Sequence, residues 1–201
     1  MKLIHPELFT SIEFKNNHII NIVFESPRDY SAYLSELYQQ IIGNQGKWVL
    51  SENGKELKLD KLSQILIDPF SIEINNRKII SHIYNEISQE VNESEDLLGW
   101  NQLCTYLEKY MEDILKDSDI EMEYDIDIDI KDYLKLMNLK IVDNAENLSE
   151  KLIDYIKLYN SVMGTRLFVL VNIKNFLSFK ELTYLYEQAI YLNIDQNKQS
   201  C

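Results

Sequence analysis

Two cysteines, three histidines, three prolines and five glycines among 201 residues exclude several classes of protein at the outset. Cys104 lies inside a helix-patterned stretch and Cys201 is the last residue, so there is no disulfide framework, and a reducing, cytoplasmic compartment is expected. So little glycine and proline beside 45% hydrophobic residues excludes a fibrous or disordered chain. No apolar run approaches the roughly 18 residues of a membrane span, and the opening MKLIHPELFTS lacks the apolar core of a secretory signal, so no membrane partner is expected. Scattered histidines and no nucleophile motif argue against acyl transfer or thiol chemistry. Basic residues are also scarce: 20 Lys and Arg stand against 33 Asp and Glu, a net charge of −13. A general nucleic-acid coat is therefore excluded, and any contact with phosphates needs a local basic surface or an assembly that gathers one.

Acid, by contrast, is abundant and concentrated. Residues 112–132 carry ten carboxylates against Lys116 and Lys131, a net of −8 out of −13. Within DSDIEMEYDIDIDIKD (117–132), every second residue from Glu121 to Asp129 is acidic, with Met122, Tyr124, Ile126 and Ile128 between. On a strand this alternation predicts one acidic row, Glu121, Glu123, Asp125, Asp127 and Asp129, opposite an apolar face. Clustered carboxylates suit a hard cation with six to eight oxygen ligands, Ca²⁺ better than Mg²⁺. A half-buried edge strand with a charged outer face, which discourages edge-to-edge aggregation, has the same pattern. An EF-hand does not fit, because Ile130 stands where the turn glycine belongs and Leu136 where the twelfth-position Glu belongs. Two-metal phosphodiester cleavage by the acidic row is a further reading, though no general base or lysine accompanies it.

Along the chain, HIINIVFE (18–25) reads as a strand. Ser26-Pro27 then opens a helix striped by Leu34, Leu37, Tyr38, Ile41 and Ile42 and closed by Gly43. The order recurs in P-loop proteins, but GxxxxGK[ST] is absent. Asn53-Gly54 predicts a hairpin between residues 48–50 and 57–59, and residues 65–67 a short strand. Residues 70–115 are helix-patterned as an antiparallel pair, with an acidic connection, VNESEDLLG. A short helix at 133–137, a strand at 139–142 and a capping box at Asp143–Glu146 follow. LFVLVNI (167–173) predicts a strand buried on both faces, and Ser178–Glu181 a second capping box. Strand–helix order on both sides of a helical block is that of an α/β domain with an insertion.

Three segments, residues 62–87, 120–141 and 166–194, together with E-Y-D at Glu123–Asp125, V-N at Val171-Asn172 and F-L-S-x-x-E at Phe176–Glu181, resemble the type II-A CRISPR-associated spacer-acquisition accessory proteins, the Csn-two family. The resemblance implies an α/β head like that of P-loop ATPases without a Walker motif, at residues 1–64 and 138–201, interrupted by an α-helical leg at 65–137. It also implies a homotetrameric ring that binds Ca²⁺ and double-stranded DNA ends, works beside the CRISPR integrase proteins and effector nuclease in antiviral adaptation, and has no catalytic residues. On this reading Glu121, Glu123, Asp125 and Asp127 are the metal positions, with Asp119 and Asp129 as extras. Lys55, Lys58, Lys61, Arg77 and Lys78 are the DNA-facing candidates, which a ring would gather around one axis. The acidic row carries about one residue more than the family pattern, and a further strand past residue 194 is expected from the family. The alternatives are a metal-dependent nuclease using the acidic row and a calcium-stabilised protein-interaction scaffold that does not touch DNA.

Overall fold

The computed structural model describes residues 1–14, 19–124 and 128–196, except for the side chains of 193–196. The chain divides into two compact units, one of residues 1–74 and 143–201, the other of residues 75–142.

In the first unit, β1 (Lys2–Ile4), β2 (Ile12–Glu13), β3 (Val49–Glu52) and β4 (Lys55–Leu57) form an antiparallel sheet in the order β2-β1-β3-β4. Leu3 faces Leu50 across β1 and β3, and both are buried. Asn53 and Gly54 turn the β3–β4 hairpin with φ of 51° and 77°. Positive φ at both positions matches the right-handed twist of the flanking strands, which is why this dipeptide marks a hairpin. Helix α1 (Pro27–Ile41) begins where Ser26 Oγ accepts the Asp29 N–H at 3.3 Å. Its Gln40 side chain clasps Trp48, accepting its N–H at 2.7 Å and donating to its carbonyl at 3.0 Å. Leu37, Ile41, Trp48, Leu50 and Leu59 then share one core cluster with Leu167, near the far end of the chain.

The helical turn α2 (Leu59–Leu62) leads into β5 (Ser63–Leu66), which pairs in parallel with β6 (Leu167–Leu170), Ser63 opposite Leu167. Arg166 N–H to the Leu62 carbonyl and Val171 N–H to the Leu66 carbonyl extend this ladder at both ends. Helices α6 (Leu148–Met163) and α7 (Phe179–Gln196) flank β6 in the chain and pack on each other. α6 ends at Gly164, whose φ of 64° suits glycine. The second unit holds α3 (Arg77–Glu93), α4 (Asp96–Leu115) and α5 (Ile130–Leu136). Trp100 of α4 meets Tyr133 of α5 with ring centroids 5.5 Å apart, and Tyr84 of α3 donates to the Leu139 carbonyl at 2.8 Å.

Several expected elements take another form. Residues 19–25 make no strand, and His18 lies outside the described residues. The acidic row is not a strand at 121–124 or 128–129. Among the described residues no neighbour supplies ladder hydrogen bonds there, and Met122, Tyr124 and Ile128 are 37–49% exposed, so the part of the expected apolar face that is described is only partly covered. Residues 139–142 stay irregular because side chains take the place of a partner strand: Asn75 donates to the Ile141 carbonyl at 2.9 Å and accepts its N–H at 2.8 Å. α6 is capped by Asn147, which accepts the Glu150 N–H at 3.0 Å, four residues later than the expected box. β6 stops at Leu170 because Asn172 takes a left-handed conformation (φ 53°), and the strand is only half-buried beyond Leu167.

Candidate metal and nucleic-acid sites

The acidic stretch starts where α4 ends. Ser118 N–H closes the helix on the Leu115 carbonyl at 3.0 Å, and Ser118 Oγ then bridges both backbone groups of Ile120. Beyond this turn Asp119, Glu121 and Glu123 are exposed. Tyr124 folds back to α4, its hydroxyl donating to the Glu108 carbonyl at 3.5 Å. Desolvation, and then the negative charges of Glu112 and Glu108, push this phenol above its usual value of 10.0. The acids of α4 are therefore neighbours of the row, which a reading of residues 117–132 alone would miss.

Asp129 is already engaged. Its Oδ1 accepts the Asp132 N–H at 2.7 Å and caps α5. Lys135, 2.7 Å from Asp132, holds that carboxyl below its ordinary value, aided by neighbouring charges. Asp125 and Asp127 lie outside the described residues. Among the described residues no three His, Cys, Asp or Glu side chains converge as a metal cage. The donor chemistry nonetheless fits a hard cation, since every candidate donor is a carboxylate oxygen.

The basic candidates fall into two groups. Lys55 on β4, Lys58 just before α2 and Lys61 on α2 are exposed on the first unit within seven residues of chain. Lys61 has Asp60 at 3.8 Å, a loose surface pair. Arg77 and Lys78 are the first two residues of α3 and are exposed on the second unit. Cations at a helix start work against the helix dipole, so local stability does not account for their placement.

Two polar constellations carried no motif. Arg166 makes a two-pronged ion pair with Glu52, at 2.9 and 2.7 Å, joining the hairpin to the residue before β6. His5 is 1% exposed, with Nε2 3.0 Å from Glu36 and Nδ1 accepting the Glu7 N–H at 3.2 Å. That contact leaves Nδ1 without a proton, so Nε2 is the donor to Glu36. The partners are 31 to 114 residues apart or joined through the backbone, which is why spacing gave no sign of them.

The family profile described as CRISPR-associated protein (Cas_Csn2) matches residues 40–196, more than three-quarters of the chain and both units. The chain belongs to the CRISPR-associated Csn2 family. Among its relatives, the CRISPR-associated protein Csn2 of Streptococcus agalactiae is 24% identical over 197 residues, covering 98% of this chain and 86% of that protein. The Csn2 match takes in the hairpin lysines, the acidic stretch and α3, and leaves β1, β2 and most of α1 outside. Among the described residues no helix is long and apolar enough to cross a membrane.

Proposed function

We propose that this Csn2-family protein is a non-catalytic accessory of CRISPR spacer acquisition: a ring-shaped homotetramer that holds Ca²⁺ and binds double-stranded DNA ends without sequence preference. The observation that carries the reading is the family match across both units, which spans the exposed acidic stretch and the exposed lysines together. In this reading the first unit is the P-loop-ATPase-like head and the second the inserted leg. Glu121, Glu123, Asp125 and Asp127 hold the ion, and Asp119 adds an oxygen at the rim. Asp129 stays on α5, since leaving it would uncap the helix. Bound calcium supplies the positive charge that this stretch lacks.

Lys55, Lys58 and Lys61 meet phosphates from the head, and Arg77 and Lys78 from the leg. Phosphate contacts position a duplex but carry no base information, which accounts for indifference to sequence. A chain of net −13 needs symmetry for this purpose, because these five cations per subunit become a basic lining only when several copies surround one axis. The CRISPR integrase proteins and effector nuclease are the partners to which such a ring would hand its DNA.

The test is a gel shift of blunt linear against covalently closed plasmid DNA, with Ca²⁺ or with chelator. The expected result is a shift of linear DNA only, and only with Ca²⁺. The triple variant K55Q/K58Q/K61Q should weaken binding equally on every sequence and lower the slope of log K against log salt by about one per lost contact. Shortening of linear DNA with Mg²⁺ would favour the nuclease reading. No shift of either DNA in Ca²⁺ at low salt would leave the protein-interaction scaffold.

A further inference from the structure

The β3–β4 hairpin ends in Asn53 and Gly54, both exposed, with Glu52 paired to Lys55 beneath them. Among the described residues the Asn53 carboxamide and the Gly54 N–H make no hydrogen bond, and no other atom lies within 4 Å of where a Cβ on Gly54 would stand. The backbone nitrogen after an asparagine can close a five-membered ring on the side-chain carbonyl carbon. Glycine obstructs that closure least, because it has no Cβ and accepts dihedral angles that other residues resist. The left-handed φ of Asn53, 51°, has to relax for the attack, and only the Glu52–Lys55 pair below restrains it, since the tip itself has no partners. Exposed loop tips of this kind open at low cost.

We infer that Asn53 is a self-modifying site, which loses its carboxamide to attack by the Gly54 nitrogen and unlatches the hairpin when it does. The Gly54 nitrogen bonds to Asn53 Cγ, the Cγ–Nδ2 bond breaks, and the Gly54 amide proton leaves with Nδ2 as ammonia. Solvent water then opens the succinimide at either of its carbonyls, leaving an aspartyl or isoaspartyl linkage at position 53, with nothing oxidised or reduced.

Either product adds a negative charge at the tip, and the isoaspartyl form routes the main chain through Cβ and lengthens it by one atom. A two-residue loop sets the register of its strands, so the Glu52–Lys55 pair is the first to be lost. Glu52 also holds Arg166 and the N-terminal amine, and its displacement loosens the hairpin from the start of β6. A further consequence rests on the DNA reading above: the new charge enters the segment that carries Lys55, Lys58 and Lys61 and weakens their hold on phosphates.

The test is to age the full chain at mildly alkaline pH and to follow the tryptic peptide 48–55, WVLSENGK, by mass spectrometry. The expected result is conversion at Asn53 in the folded chain within about tenfold of the rate in guanidinium, with the isoaspartyl form resolved by electron-transfer fragmentation. Aged native protein should then unfold at lower denaturant than fresh protein. N53G, which keeps a turn of positive φ but has no carboxamide, should unfold alike before and after ageing. Asn53 left intact in the folded chain while the unfolded chain converts would overturn the proposal, and so would conversion with no loss of stability, or an equal loss in N53G. If N53G does not fold, the conversion and the stability of the native chain decide alone. Gel shifts of linear DNA on the same samples separate the two readings. A weaker shift after ageing in the native chain alone supports the charge effect, and equal shifts overturn it. Fresh protein that shifts no DNA overturns the DNA reading and leaves the modification to the mass spectra.

Discussion

Glu52 sits between two positive groups: the Arg166 guanidinium, whose terminal nitrogens lie at 2.9 and 2.7 Å, and the N-terminal amine at 4.0 Å. The hydrogen bonds from Arg166 are the main reason its carboxyl lies below the ordinary 4.5, with the Arg166 and N-terminal charges adding to them. A carboxyl depressed on folding stabilises the native state above its unfolded value, and that contribution is lost as pH falls through the lower folded value. Removing Arg166 should therefore matter at neutral pH and cease to matter in acid. Urea denaturation of R166A against the native chain is expected to show a loss of about 1 kcal/mol at pH 7, the upper end for a partly exposed pair with two-pronged geometry. The difference should shrink progressively below pH 4.5.

At the scale of elements, burial decides which substitutions count. Leu152 of α6 is 0% exposed, so L152A removes packing on every side and should cost about 2–5 kcal/mol in chemical denaturation. N147A, which deprives α6 of its cap, should cost about 1 kcal/mol and leave the folded circular dichroism spectrum unchanged. The elements legible in the sequence are those whose determinants are local. Ser26-Pro27, Asn53-Gly54 and Ser178–Glu181 act through bonds spanning at most three residues, and each forms as expected: Glu181 N–H and Ser178 Oγ meet at 3.3 Å, and Ser178 N–H returns to Glu181 at 2.8 Å. The stripes of α3 and α4 are local too. What sequence reading missed depends on distant partners. Residues 139–142 have the composition of a strand, but Asn75, 66 positions away, occupies the backbone groups of Ile141. The acidic row has perfect alternation, yet alternation predicts a face and cannot supply the neighbouring strand that would use it. Among the site residues, the acids and lysines were legible as composition, whereas Asp129's duty as a cap and the approach of Glu108 and Glu112 to Tyr124 were not.

For the whole molecule, charge is the dominant variable. Eight of thirteen net negative charges fall in 21 residues, so a divalent ion bound there would relieve repulsion as well as occupy a site. Thermal unfolding in millimolar Ca²⁺ against chelator is expected to show a higher midpoint with calcium in the native chain, and E121Q/E123Q should abolish most of that difference. The same variant in chelator should unfold at or above the native midpoint, because two repelling charges are gone. A calcium-independent drop in its stability would instead mean that these carboxylates serve the fold directly.

The pairing of β5 with β6 also has a consequence in time. Ser63 and its partner Leu167 are 104 residues apart (167 − 63), and the whole of the second unit is synthesised between them. At roughly 5–20 residues per second of translation, β5 must wait on the order of 5–20 s for its mate to exist. During that interval the four-stranded sheet of residues 2–57 and the helical unit each have all of their own sequence, while β5 stands unpaired. The order of synthesis thus leaves one seam to the end: the β5–β6 pair is the part of the first unit that is sealed last.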